Sequence, residues 1–326
     1  MCEVSVIVPF YNPPKLRFRK CIESLLDQCF QDYEIILVDD GNSQEVLSIA
    51  QEYAKNSGRI RLIQQENSGV SAGRNVGIEN ANGKYISFVD ADDFVEYDYL
   101  HKLYKAIQDS DISICGLCEQ FYPMDDGWED SHVFFSMPNE HSGLQYINFS
   151  VNKMYKTDIL KKYAVHFPVD VKLGEDALFL AKYFEHCFSI RCIPDLLYHY
   201  VPNEKSAVHK YCPEYWSYEA DVIEKQWDLF NQYALTKNQR QGFLCWLFRK
   251  YRGVVCYYLD NENNKQHTRD ILKSVFSHQL FLLLNDCDLS KKNLHLSSKE
   301  KLTIRIWRRF GVEGAIWIHT VSKIRH

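Results

Sequence analysis

The chain has 326 residues, 46% hydrophobic, 25% charged and 14% aromatic, with a net charge of −5. That is the balance of an ordinary globular protein with material for about two domains, and it excludes disordered, collagenous and coiled-coil classes. The mild acidity gives no global attraction to nucleic acid, no apolar run reaches the roughly 18 residues of a membrane span, and eleven scattered cysteines suit a reducing cytoplasm.

Residues 4–8 (Val-Ser-Val-Ile-Val) form a β-branched run too apolar to face water on either side, the pattern of a central parallel strand. The run is too short for the apolar region of a signal peptide and meets Pro9 at once. Asn12 is expected to cap a helix whose first turn holds Pro13 and Pro14. A second buried strand over 34–38 ends in Asp39-Asp40-Gly41. A helix near 44–55, a strand over 60–63 and a glycine-bearing loop over 67–70 follow. The spacing then predicts a helix over about 71–80 and a strand over 85–89, which delivers Asp90-Ala91-Asp92-Asp93.

From residue 111 the alternation becomes irregular. An apolar strand over 112–117 carries the lone Cys115-x-x-Cys118, read as small core residues rather than a redox or zinc motif. Residues 152–163 read as a helical unit, Gly174-Glu175-Asp176 opens another helix, and Tyr198-His199-Tyr200 closes a strand. Beyond residue 211 the pattern is helical, with Trp216, Trp227 and Trp246 as expected core anchors. The expected fold is α/β: a Rossmann-like, doubly wound mixed sheet over residues 1–210, followed by a smaller, mainly helical C-terminal domain over 211–326.

Both acidic clusters fall just after strand C-termini, the edge where open parallel sheets bind ligands. Two carboxylates spaced as in Asp90-Ala91-Asp92 can share one hard cation that keeps positions open for phosphate oxygens. Alone, such a triplet is an ordinary solvated turn. Asp39 and Asp40 at the neighbouring strand end, and Arg74 on the preceding helix, supply the company a nucleotide diphosphate requires. A phosphatase that uses Asp90 as nucleophile fits poorly, because Phe94 stands where Thr or Val is needed and the first strand ends in Pro9-Phe10-Tyr11-Asn12. A dinucleotide-binding dehydrogenase would need a GxGxxG after the first strand, and there is none.

The runs 4–12 (VSVIVPFYN), 34–41 (EIILVDDG), 67–75 (NSGVSAGRN) and 83–93 (GKYISFVDADD), in that order and spacing, resemble glycosyltransferase family 2. Gly174-Glu175-Asp176 and Tyr198-His199-Tyr200 extend the likeness to about residue 206. The resemblance implies a GT-A type fold and an inverting transfer of a hexosyl or N-acetylhexosaminyl group from a nucleotide-sugar donor, a UDP-sugar, to a glycan or lipid-linked acceptor in polysaccharide assembly. It implies that Pro9, Tyr11 and Asp39 hold the base and that Asp90 and Asp92 hold the ribose-diphosphate with Mn²⁺ or Mg²⁺. Arg74 would support the same region, and Asp176 would be the general base. His199 is a candidate third metal ligand, with His209 as a fallback and Lys205 and Ser206 as candidate diphosphate contacts. A catalytically inactive nucleotide-binding module of the same fold is the alternative. Two departures stand out: the usual DDGSTD is Asp39-Asp40-Gly41-Asn42-Ser43-Gln44, and the acceptor-side Trp-Asn-Lys is Val151-Asn152-Lys153.

Residues 299–326 mix Ile304, Trp307, Phe310 and Trp317 with Lys301, Arg305, Arg308 and Arg309. Such a basic, tryptophan-bearing helix either lies on an anionic membrane surface or docks on its own domain. The expected location is therefore cytoplasmic, with peripheral contact at the inner face of the cell membrane through 299–326.

Overall fold

A computed structural model of the chain describes residues 2–118, 127–130, 148–202, 211–232, 237–287, 289 and 296–324. The described residues fall into two compact units, the first reaching residue 202 and the second starting at 211.

The first unit is built on a mixed sheet. Its strands are β1 (Val4–Phe10), β2 (Tyr33–Asp40), β3 (Ile60–Gln65), β4 (Tyr85–Phe88), β5 (Phe94–Val95), β6 (Ile112–Leu117), β7 (Gly127–Asp130), β8 (Lys153–Lys156) and β9 (Ser189–His199). The order is β3-β2-β1-β4-β8-β6-β9-β5, with β7 added on β9. The stretch β3-β2-β1-β4 is parallel, β8 runs antiparallel to β4 and β6, and β6 is parallel to β9. All residues of β1 and β2 are buried, as their unbroken apolar runs demand. Helices α1 (Lys15–Leu26), α2 (Gln44–Asn56) and α4 (Tyr99–Ile107) share one core with Val4, Val6 and Val8. Helix α3 (Val70–Asn80) lies against the alternate residues of β1: a Cβ on Gly77 would meet the Ile7 side chain at 2.3 Å, and one on Gly73 would meet Pro9 at 3.1 Å. Glycine at these places lets α3 approach the strand closely.

Two sequence expectations change in this unit and a third holds. Asn12 does not cap α1. It takes a positive φ of 44°, and Pro14 holds the cap position. Asn12 instead ties loops together, its N–H donating to Asn42 Oδ1 (2.5 Å) and its Oδ1 accepting from Ser43 N (3.3 Å). Residues 153–156, expected to be helical, are strand β8, because pairing with β4 and β6 outweighs helical preference; α5 (Thr157–Lys162) begins only after it. Helix α6 (Glu175–Phe184) starts where expected, after Gly174 at φ +89°. That left-handed position favours glycine and turns Glu175 and Asp176 into the first helical turn.

The second unit holds α7 (Tyr215–Asn231), α8 (Lys237–Asn261), α9 (Lys265–Ser277), α10 (Gln279–Leu282) and α11 (Ser298–Ile324), which is interrupted at Gly311 (φ 52°, ψ −130°). Trp216, Trp227 and Trp246 are half-buried rather than central. Trp227 and Trp246 pack on Phe243 at 4.9 and 4.8 Å. Among the described residues the buried tryptophan is Trp307, 5% exposed, against Phe248 and Phe276. Among the described residues no helix is long and apolar enough to cross a membrane. Cys115 and Cys118 are buried, on and beside β6.

Candidate active site

The C-terminal ends of β1, β2 and β4 lie side by side. Phe10 pairs with Asp39 in the β1–β2 ladder, and the β4 register carries the chain to Asp90 two residues beyond Phe88. At the first of these ends Asp39 is almost fully buried and held by amides. Its Oδ1 accepts from Asn42 N (2.9 Å) and from the Asn42 side chain, and its Oδ2 accepts from Gln64 Nε2 (3.2 Å). The Asn42 amide also donates to Phe10 O (2.8 Å). Asn42, at the serine position of the family's DDGSTD, thus braces two strand ends. Asp40 accepts from Gln65 Nε2 and from the N–H groups of Ser68 and Gly69 (2.7, 2.8 and 2.9 Å), pinning the loop that leads into α3. Pro9 is buried beneath Gly73, and Tyr11 is 57% exposed at the rim.

The second end is built around one buried cation. Arg74, 4% exposed, donates from Nη2 to Asp90 Oδ1 (2.9 Å) and from Nη1 to Asp176 Oδ1 (2.6 Å), with Glu175 at 3.8 Å. One guanidinium therefore brackets the carboxylate after β4 and the carboxylate opening α6. Burial alone would favour the neutral arginine, but Asp176, Asp90 and Glu175 more than offset it and its pKa is raised. Arg74 sits over the Phe167 ring at 5.0 Å. That ring is fixed by Asn75, whose amide donates to Phe167 O and accepts from Phe167 N, both at 2.8 Å, and by stacking on Phe179 of α6 at 3.9 Å. Arg74-Asn75 thus works as a pair: one residue binds the acids and the next holds the platform.

Around this centre acidity is crowded. Asp93, 1% exposed, accepts from Tyr198 Oη (2.7 Å) and Val201 N (2.8 Å), while burial and the charges of Asp90 and Asp92 push it up to about 8. Burial and the adjacent Asp176 push Glu175 up to about 7, against the pull of Arg74. Asp176 also accepts from Ser150 N on Oδ2 and from Ser150 Oγ on Oδ1, both at 3.1 Å. Ser150, Phe167 and Asp93 were given no role by the sequence. Ser150 carries no motif, though it lies two residues before Asn152-Lys153.

His199 is turned to other partners. Its Nε2 bonds Glu96 Oε1 (2.5 Å) with Cys118 Sγ at 3.5 Å, and its ring stacks on Phe94 at 4.1 Å. Among the described residues, no three His, Cys, Asp or Glu side chains are gathered into a ready metal cage. Asp90 and Asp92 nevertheless offer hard oxygen donors, and the carboxylate crowding that lifts Asp93 is what a divalent cation would relieve. His209, Lys205 and Ser206 lie outside the described residues, as does the 125–141 segment except for the strand Gly127–Asp130.

A twisted sheet whose parallel strand ends gather carboxylates about a buried arginine defines an α/β domain with a ligand site at its strand C-termini. The family described as Glycosyl transferase family 2 matches residues 5–168, half of the chain, and the chain belongs to that family. It is 33% identical over 222 residues to EpsH of Bacillus subtilis (strain 168), which carries a glycosyltransferase name; the match covers 64% of this chain and 63% of EpsH. It is 34% identical over 166 residues to glycosyltransferase GlyA of Streptococcus pneumoniae, covering 50% of this chain and 23% of GlyA. The chain thus spans less than two thirds of the length of these relatives. The fold is also that of S. aureus TarS residues 1–349, solved with UDP-GlcNAc: TM-score 0.76, 20% identity, 99% of this chain and 92% of that one. The GT-A type architecture with a helical C-terminal region is therefore the one the sequence pointed to.

Proposed function

We propose that this chain is an inverting, metal-dependent glycosyltransferase that moves a sugar from a UDP-sugar to a glycan or lipid-linked acceptor in polysaccharide assembly. The observation that carries the reading is Arg74, whose guanidinium joins Asp90 to Asp176. An inverting displacement needs a base on the face of the sugar opposite the leaving diphosphate, and both groups must therefore reach one small volume. The proximity of Asp90 to Asp176 through a single side chain supports that division.

In this mechanism Asp39, braced by Asn42, accepts from the base, with Pro9 and Tyr11 beside it. Asp90 and Asp92 would hold Mn²⁺ or Mg²⁺, which when bound neutralises charge building on the diphosphate. Asp176 takes the proton of the acceptor hydroxyl on a carboxylate oxygen as the hydroxyl oxygen attacks the anomeric carbon. Ser150 and Arg74 aim that carboxylate. TarS was solved with UDP-GlcNAc, which supports a UDP-sugar donor. If His199 joins the cation, it must first leave Glu96.

The test is a panel of nucleotide sugars screened for thermal stabilisation, then turnover of the best donor. Asp176→Asn should lower transfer by about 10²-fold or more with near-normal UDP binding. Asp92→Ala should lose the Mn²⁺-dependent part of UDP binding by calorimetry. Full turnover by Asp176→Asn would end the reading, and no donor hydrolysis by the unaltered chain with any nucleotide sugar in Mn²⁺ would leave a binding module in its place.

Helix α11 supports membrane contact as part of this proposal. Ile304 and Trp307 dock it on its own unit, while Leu302, Phe310 and Trp317 stay 54–59% exposed beside Lys299, Arg305 and Arg309. Exposed aromatics flanked by cations match an anionic bilayer surface, which fits a cytoplasmic enzyme working at the inner face of the membrane. Removing the helix would also strip Trp307 from the core, so the cleaner test is Phe310→Glu/Trp317→Glu. Cosedimentation with phosphatidylglycerol vesicles should fall; unchanged cosedimentation would exclude this contact.

A further inference from the structure

Lys153 is completely buried on β8, yet among the described residues its ammonium has no carboxylate within hydrogen-bonding reach. Nζ donates to Phe149 O (2.7 Å), Val151 O (3.1 Å) and Asn152 Oδ1 (2.7 Å), so three acceptors and three N–H groups match one to one. A neutral amine, with two N–H groups, would leave one of these acceptors unserved. All three acceptors belong to one turn, residues 149–152. The turn is clamped at its other points too. Ser150 O accepts from Tyr155 Oη (2.7 Å), and Asn152, at a left-handed φ of 57°, bonds its side-chain amide to Cys115 O. Toward the site this turn sends Ser150 N and Oγ, which both donate to Asp176.

We propose that Lys153 is a positioning residue for the reaction: by cross-linking the carbonyls of the 149–152 turn it holds Ser150 against Asp176 and fixes the direction of the carboxylate. The inference rests on reading Asp176 as the general base. Burying a charge without a counter-ion is costly, and apolar filling would stabilise the position at least as well, so the cation marks a geometric requirement. Burial draws the Lys153 ammonium down to about 7, opposed by the negative charge of Asp176. The backbone of Lys153 is itself anchored, its carbonyl accepting from Ser87 Oγ (2.8 Å) on β4. The turn is thereby registered to the strand that delivers Asp90.

The experiment measures UDP release from UDP-GlcNAc in Mn²⁺ for the full chain carrying Lys153→Met, Lys153→Gln, Ser150→Ala and the Ser150→Ala/Lys153→Met pair. Asp176→Asn serves as the control, and UDP binding by calorimetry is followed throughout. Lys153→Met should lower kcat by about 10–100-fold while the KM for UDP-GlcNAc and UDP affinity stay within about twofold. Lys153→Gln, which keeps two donors, should recover part of kcat. The double variant should be no slower than the slower single, since both changes release the same contact. Unchanged kcat in Lys153→Met, a double variant as slow as the product of the singles, or equal losses in kcat and UDP binding would each overturn the proposal. Recovery of only unfolded protein from both lysine variants would also overturn it, by making Lys153 a folding requirement. If instead Asp176→Asn turns over normally, it is the base assignment that fails, whatever the lysine variants do.

Discussion

The two strand ends that make up the site handle their acids in opposite ways. After β2, Asp39 is satisfied by amides alone, from Asn42 and Gln64, and every partner lies within 25 residues. After β4, Asp90 shares Arg74 with an acid 102 residues from that arginine, and two further carboxylates crowd the same space. The first end is a neutral cradle made by local sequence. The second is a charged knot made by the tertiary fold, and its parts are costly to leave unmatched.

Breaking the knot should therefore do the greatest damage. Arg74→Met leaves the partly buried Asp90 and Asp176 without their cation, and a loss of roughly 3 kcal/mol is expected in urea unfolding, with turnover abolished. A loss below about 1 kcal/mol would mean that the acids relax into water and that the two ends differ little. Glu175 sharpens the contrast through pH. Its carboxyl sits at about 7 in the folded chain against 4.5 ordinarily, so the stability linked to its protonation is complete below about pH 4.5 and is lost as pH rises through 7. Glu175→Gln should accordingly gain stability over the unaltered chain by about 1–3 kcal/mol at pH 8 and gain far less at pH 5. Equal urea midpoints at both pH values would remove Glu175 from the charged set. The smallest effect belongs to the neutral cradle. Asn42→Ala removes one bond from Asp39, one from Phe10 O and the one Asn42 Oδ1 accepts from Asn12 N, which should cost about 1–2 kcal/mol and raise the donor KM severalfold at constant kcat. A fall in kcat as large as that of Arg74→Met would erase the distinction between the ends.

The same contrast explains what could be read without coordinates. Strands β1 and β2 are β-branched runs that declare themselves, β4 is a short apolar and aromatic one, and Asp39, Asp90 and Arg74 stand at fixed offsets from them. Helix α6 was visible from Gly174 and the acids after it. Legibility stopped where partners come from distant chain. Strand β8 looked helical because its four residues gain their stability from β4 and β6 rather than from any local preference. Ser150 and Lys153 owe their places to a turn whose Asn152 takes an uncommon backbone angle, and nothing in the composition of 148–153 announces it. The tryptophans were legible as packing residues but not as to which would be deepest. The interruption of α11 at Gly311 folds the chain back so that a Cβ on Gly314 would meet the Ile306 side chain at 2.9 Å, whereas an unbroken helical periodicity would have kept those residues apart.

One consequence concerns Phe167, a residue outside any helix or strand. Its amide proton is committed to the Asn75 side chain, its carbonyl to the same side chain, and its ring to α6. A loop position clasped in this way should exchange its amide hydrogen on the slow timescale of the sheet. The segment between α5 and α6 would then be pinned at Phe167 as well as at the buried Val165, whose N–H donates to Leu160 O (2.9 Å).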